Sequence, residues 1–213
     1  VESTGCVERH GLTPAVYLEK LGIYNYGGGG FHCVHMTEED LDVFERRGLW
    51  AVTNPGSNTK LASGIAPISR MLERGIHLAI GTDGPASNNC LDFFREMFLV
   101  TGLQKLKNND AASTDAWEVL KMACSGGALA MGLTDCDALT PGKQADLVMI
   151  DLHQPNMQPL NNITKNVVYS GSKQNVKMTM VAGKILYEDG VFHVGEHGEE
   201  ISRRVNRTIQ PKK

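Results

Sequence analysis

What this chain lacks narrows the field first. No apolar run approaches the roughly 20 residues needed to cross a bilayer, so no membrane role is expected. Neither sign of charge predominates: 21 Lys and Arg stand against 24 Asp and Glu, for a formal net charge of -3. That balance offers no electrostatic case for nucleic acid. The five cysteines (Cys6, Cys33, Cys90, Cys124, Cys136) include no Cys-x-x-Cys pair. Their odd number and wide spacing argue against a disulfide framework or a structural zinc knuckle, and for reduced thiols in the cytoplasm. There is no internal repeat and no low-complexity tract. No signal peptide is visible, although the chain opens at Val1 rather than Met. What is present is 213 residues, 41% of them hydrophobic, enough for a substantial core in one large or two small domains.

Residues 1 to about 23 read as helix and turn, with Pro14 in a first helical turn and Gly22 closing the helix. Tyr26 to Gly30 is a glycine-rich loop. It precedes a strand rather than linking a strand to a helix, so a phosphate-cradling role is set aside. Strands are expected at Phe31–His35, Leu49–Thr53 and Ile76–Thr82. Helices are expected at Leu41–Arg47, after a capping-box start at Thr37 to Asp40, and at Ile68–Arg74. The stretches 56–64 and 84–89 read as loops. A helix from about Leu91 to Lys107 carries Phe94, Met97, Phe98 and Val100 mostly on one side. Asp115 caps the next helix, which runs through Cys124 and is interrupted at Gly126-Gly127. Strand and helix in alternation imply a parallel sheet with right-handed helical crossovers. After residue 138 the pattern changes to a small β module. Its strands are Ala145–Ile150, Val167–Tyr169 and Val176–Ala182, the last entering a tight hairpin at Gly183. The polar tail 196–213 reads as a surface helix.

The chemistry-bearing feature is Asp83, in Gly81-Thr-Asp-Gly84 at the end of an apolar run. A carboxylate there is costly to bury unless it binds a cation or is well hydrogen-bonded. Strand C-termini are where parallel α/β folds place their chemistry. A plain Asp-Gly turn is the competing reading. Alternation puts Asp83, Gly81, Ala79 and His77 on one side of the strand and the bulky Ile76, Leu78 and Ile80 on the other. On the preceding strand, His32 shares a face with Val34. His35 points elsewhere, because a His-x-x-His pair converges on a helix and not on a strand. His32 is therefore the second site candidate, while His35 is read as a loop or supporting group and His77 as structural. Asp83 and His32 could take a proton from an acidified water and orient the hydroxide. They fall short of the three protein ligands that catalytic zinc usually takes.

These motifs resemble those of the amidohydrolase superfamily. The resemblance is carried by His32-Cys-Val-His35, Asn54-Pro-Gly-Ser-Asn58 with Lys60 to Pro67, Gly81 to Asn89, and Pro141 to Val148. It runs from Val1 to about Gly190 and is greatest to the 5-methylthioadenosine/S-adenosylhomocysteine deaminases. It implies an α/β fold: the C-terminal part of a (β/α)8 barrel, strands six to eight, over residues 1–138. A segment of a small β-sandwich follows at 139–195, then the tail at 196–213. It implies metal-dependent deamination of an adenine nucleoside, with one divalent metal ion, zinc or alternatively iron. Asp83 would be metal ligand and proton shuttle, and His32 would face the attacking water. Asn58, Ser87 and Asn88 would line the substrate side. The family's His-x-His pair, its fifth-strand His and the associated Glu have no counterpart here, and Thr53 stands where many relatives have His. The resemblance therefore implies a partial barrel that needs a missing N-terminal half, as part of the same or another chain, and is inactive without it. Homo-oligomerisation is left open. The alternatives are hydrolysis of another heteroaromatic amine or halide, such as guanine or a triazine, and a non-catalytic scaffold on the same fold.

Overall fold

The computed structural model describes residues 2–196 and 198–209. Two helices open the chain, α1 (Glu2–His10) and α2 (Pro14–Lys20), with Pro14 in the first turn. Then come β1 (Gly29–Phe31), α3 (Glu38–Arg47), β2 (Trp50–Thr53), α4 (Pro55–Lys60), α5 (Ile68–Glu73) and β3 (His77–Ile80). The three strands form a parallel sheet in the order β1-β2-β3, with Gly30 opposite Ala51 and Ala51 opposite Leu78. The expected alternation of strand and helix is thus realised.

Helix α3 starts as its sequence demands. The Thr37 hydroxyl accepts from the Asp40 amide at 3.2 Å, and the Asp40 carboxylate accepts from the Thr37 amide at 3.0 Å. These two bonds satisfy amide donors that the first turn otherwise leaves open. Gly48 closes the helix in the left-handed region at φ 60°. Leu41, Val43 and Phe44 are buried, as are Leu49, Ile68 and Met71 and the strand residues Ala51, Leu78 and Ile80, in one continuous core.

Beyond β3 lie the short α6 (Pro85–Asn88) and the long α7 (Phe93–Asn108). Next come α8 (Ala116–Lys121), a π-helical turn (Met122–Gly126) and α9 (Gly127–Ala130). The Gly126-Gly127 pair does not break the helix; it runs on through the π turn. A Cβ on Gly126 would lie 2.4 Å from the Leu78 carbonyl oxygen, so the glycine lets this turn press onto β3. The stretches read as loops at 56–64 and 84–89 contain α4 and α6, each with Pro at its first turn.

The C-terminal part is a four-stranded antiparallel sheet, β4 (Leu147–Ile150), β5 (Val176–Val181), β6 (Lys184–Glu188) and β7 (Val191–Phe192), in sequential order. The expected hairpin at Gly183 is present: Val181 pairs with Lys184, and Ala182 and Gly183 have φ of 49° and 77°. Val167–Tyr169, read as a strand, lies instead in helix α10 (Ile163–Ser170). Its β-branched residues favour strand only weakly. The Asn162 side chain caps the helix by accepting from the Lys165 amide at 3.0 Å, and Val167 and Val168 are buried in the main core. In the tail, α11 (Gly198–Ile209) is exposed along its whole length, as expected; residues 210–213 lie outside the described residues.

Candidate active site

The site forms where β1 and β3 end. Strand β1 runs Gly29–Phe31 and so stops at the first residue of the expected Phe31–His35 strand, four residues short of its end, and the chain then turns sharply. His32 and Cys33 take left-handed backbone angles, φ 65° and 48°, and the Cys33 amide bonds back to the Phe31 carbonyl at 2.7 Å. The face-sharing of His32 and Val34 on a strand therefore does not hold; His32 is placed by a turn. Asp83 also lies past its strand, at φ 60°. Such angles cost non-glycine residues on the order of 1 kcal/mol or more and persist where surrounding contacts impose them. Strand parity thus does not set the direction of Asp83 either.

The two turns bring the side chains together. His32 Nε2 lies 3.7 Å from Asp83 Oδ2, with both side chains partly exposed. His32 Nδ1 is 2.7 Å from Asn58 Oδ1. An amide oxygen only accepts, so Nδ1 carries the proton and Nε2 is the nitrogen facing Asp83. Asp83 Oδ2 accepts from the Ser57 hydroxyl at 2.7 Å, and Oδ1 accepts from the Gly84 amide at 2.7 Å. The Ser57 hydroxyl foremost, then Ser87 and the Gly84 amide, hold the Asp83 carboxyl down to about 2. Ser87 directs its own hydroxyl proton to the Gly84 carbonyl at 3.1 Å, so the Ser57 and Gly84 donors carry most of this effect.

Asp83 and His32 line a cleft of about 830 Å³ whose walls include Phe31, Val34, Met36 and Leu18. Asn58 is buried behind His32 as its hydrogen-bond partner. Asn88 is buried too and spends its amide nitrogen on the Thr82 carbonyl and on Glu96, at 2.6 and 2.8 Å. Asn58, Ser87 and Asn88 are not among the residues lining the cleft. His35 is exposed at its rim, and His77 stacks on Trp50 with ring centroids 4.9 Å apart.

Two groups that matter here escape a reading of the sequence. Ser57 sits inside the Asn54–Asn58 motif, but nothing local shows that its hydroxyl meets a carboxylate 26 residues away. Glu96 left a clearer trace. It shares a stripe with Val100 and Gln104 at helical spacing, and all three are buried, whereas Phe98 is half exposed. An acid at core spacing is the signal.

Comparison with known proteins decides the family. The amidohydrolase family model matches residues 8–186. The chain belongs to the amidohydrolase family. Within it, the chain is 42% identical over 183 residues to a 5-methylthioadenosine/S-adenosylhomocysteine deaminase of Caldanaerobacter subterraneus, covering 85% of this chain and 42% of the relative. It is 40% identical over 187 residues to a 5'-deoxyadenosine deaminase of Methanothermobacter thermautotrophicus, covering 88% and 44%. Among solved structures, a zinc-bound adenosine deaminase of Xanthomonas campestris superposes with a TM-score of 0.91 at 33% identity, covering 97% of this chain and 47% of that one. An atrazine chlorohydrolase of Arthrobacter aurescens superposes at 0.89 with 23% identity, which shows the shared fold alone. The chain thus spans a little under half the length of these amidohydrolases.

The donors among the described residues do not make up a zinc site by themselves. Among the described residues, no three His, Cys, Asp or Glu side chains converge as metal ligands. Asp83 and His32 provide one carboxylate and one imidazole, where catalytic zinc takes three protein ligands and an open position.

Proposed function

We propose that the whole protein carrying this chain is a metal-dependent hydrolase that deaminates an adenine nucleoside of the 5-methylthioadenosine or S-adenosylhomocysteine type. In this reading residues 1–138 are barrel strands six to eight with their helices, 139–195 part of a small β-sandwich, and 196–213 a polar tail. The remaining barrel, with the other metal ligands, would come from the portion of the relatives that this chain does not span. The observation that carries the reading is the pairing of Asp83 with His32 across two strand ends, in a chain about 40% identical to deaminases of that class.

The chain's own residues have defined tasks. Asp83 takes the proton from the attacking water and returns it to the substrate side as ammonia leaves; its two hydrogen bonds fix both oxygens for that transfer. His32, locked by Asn58, presents Nε2 beside Asp83 to orient the water. The apolar walls beside Phe31, Val34 and Met36 suit the uncharged part of a nucleoside. A divalent ion held in the whole protein, zinc or iron, would supply the acidified water. Reduced thiols and the absence, among the described residues, of any helix long and apolar enough to cross a membrane support a cytoplasmic enzyme.

The test is leaving-group release by the full-length protein: ammonia from 5-methylthioadenosine, S-adenosylhomocysteine and guanine, and chloride from a chlorotriazine. Adenine nucleosides should react fastest, and Asp83→Asn should cost about 10²–10⁴-fold in turnover. Unchanged turnover in Asp83→Asn, or preference for guanine or the triazine, would overturn the reading.

A further inference from the structure

Behind the site lies a buried carboxylate that the chemistry above does not use. Glu96, in the first turn of α7, has no exposed surface. Each of its oxygens is taken by a nitrogen donor. Oε2 accepts from the Gly56 amide at 2.7 Å, and Oε1 accepts from Asn88 Nδ2 at 2.8 Å. Asn88 Nδ2 also donates to the Thr82 carbonyl at 2.6 Å, and its Oδ1 accepts from the Cys90 amide at 3.3 Å. One bond of Glu96 ends directly at Gly56, and the other reaches Thr82 through Asn88, so the two paths end one residue from each partner of another bond. Gly56 precedes Ser57, and Thr82 precedes Asp83; Ser57 and Asp83 are joined at 2.7 Å.

The local packing is built around this arrangement. A Cβ on Gly56 would lie 2.4 Å from Glu96 Oε1 and 2.8 Å from Asn88 Nδ2. Glycine is thus required here by the approach of the carboxylate and not by its own backbone angles. Burying a carboxylate is costly, and an apolar side chain of similar size often serves a core as well or better. What the apolar residue cannot do is accept two bonds at once from two separate segments. Glutamine in the same place puts an NH2 donor where one of the two carboxylate oxygens accepts, so it cannot meet both donors.

We propose that Glu96 is a positioning residue: its carboxylate ties the start of α4 to the loop after β3, and so sets Ser57 against Asp83. Lys60 ties the same loop from its exposed side, donating to the Ala86 carbonyl at 2.8 Å and to the Asn89 side chain, whereas Glu96 acts from the buried side. The catalytic consequence rests on the deaminase reading; the structural link does not.

The experiment compares the full-length protein with Glu96→Gln, Gly56→Ala and, as a control, Thr101→Val. Thr101 is an equally buried α7 residue that bonds to Thr114 and Tyr169 instead. Glu96→Gln should lower kcat about 100-fold with KM within about threefold, as expected when a reacting group is misplaced from a distance. Hydrogen exchange should quicken about tenfold in peptides covering 54–60 and 81–90 together. Gly56→Ala should give the same double signature even though alanine favours helix over glycine. It also carries the test if Glu96→Gln fails to fold. Thr101→Val should leave kcat and both peptides unchanged. Wild-type kcat in Glu96→Gln, or exchange in the two peptides no faster than in Thr101→Val, overturns the proposal. If the wild type deaminates no adenine nucleoside, the deaminase reading falls, and the exchange comparison alone decides the role of Glu96.

Discussion

At Asp83, hydrogen-bond donors set the electrostatics, the Ser57 hydroxyl foremost. The carboxylate gains more from its native donors than from water, so its folded-state value falls from 3.8 to about 2. The sign follows from linkage. A depressed carboxyl contributes stability that is complete above its unfolded value and is lost as pH falls through the folded one. For Asp83 that loss spans roughly pH 4 down to 2. Replacing Ser57 by Ala removes the largest cause, so the Asp83 midpoint should rise toward 3.8, read by NMR titration of its carboxyl carbon in metal-free protein. An unmoved midpoint would mean that Gly84 and Ser87 suffice. Asp83 could be picked out in the sequence because it ends an apolar run, where a charged group is out of place; His32 is singled out by an expected strand face, which the turn after Phe31 replaces. Ser57 and Glu96 could not be assigned roles. Their partners lie 26 and 40 residues away, and a serine or a glutamate by itself does not announce which segment it will meet.

The elements were legible where a local code specifies them. The Thr37 to Asp40 capping box, the proline-led α2 and the Ala182-Gly183 hairpin all form from contacts within a few residues. Errors arose where tertiary packing outweighs propensity. Val167 and Val168 look like strand, yet they lie on helix α10 and both are buried in the main core. Gly126 looks like a helix breaker, yet it serves close approach. Its role is testable: Gly126→Ala forces a Cβ against the Leu78 carbonyl and should destabilise the chain by about 1–3 kcal/mol in urea unfolding. A neutral or stabilising result would show that the π turn can move away from β3. The ends of β1 and β3 carry the same lesson. His32 and Asp83 leave their strands through left-handed residues, which no period-two pattern can encode.

At the scale of the molecule, the parallel sheet has three strands, and β1 and β3 each have one strand partner. Phe31, at the β1 edge, is 73% exposed, and the cleft beside it is open. Unpaired edges and exposed apolar side chains call for cover. The superposed adenosine deaminase has more than half of its chain beyond the matched part. Residues 1–213 alone should therefore release no ammonia from 5-methylthioadenosine and should retain no stoichiometric zinc after dialysis, measured by metal analysis. Turnover or one zinc per chain would show that residues 1–213 complete the site by themselves, for instance by pairing with a second copy.

The sequence alone determined the alternation of strand and helix, the antiparallel β structure toward the C-terminal end, and the family, and it singled out Asp83 and His32 as candidates. Each is written in local periodicity or in short ordered motifs. Tertiary structure alone decided how that pair is held. The Nδ1 proton of His32 is fixed by Asn58, the charge of Asp83 by Ser57, and the spacing of their segments by Glu96. These bonds join residues far apart in the chain, so they exist only once the parallel sheet has brought its strand ends to one side.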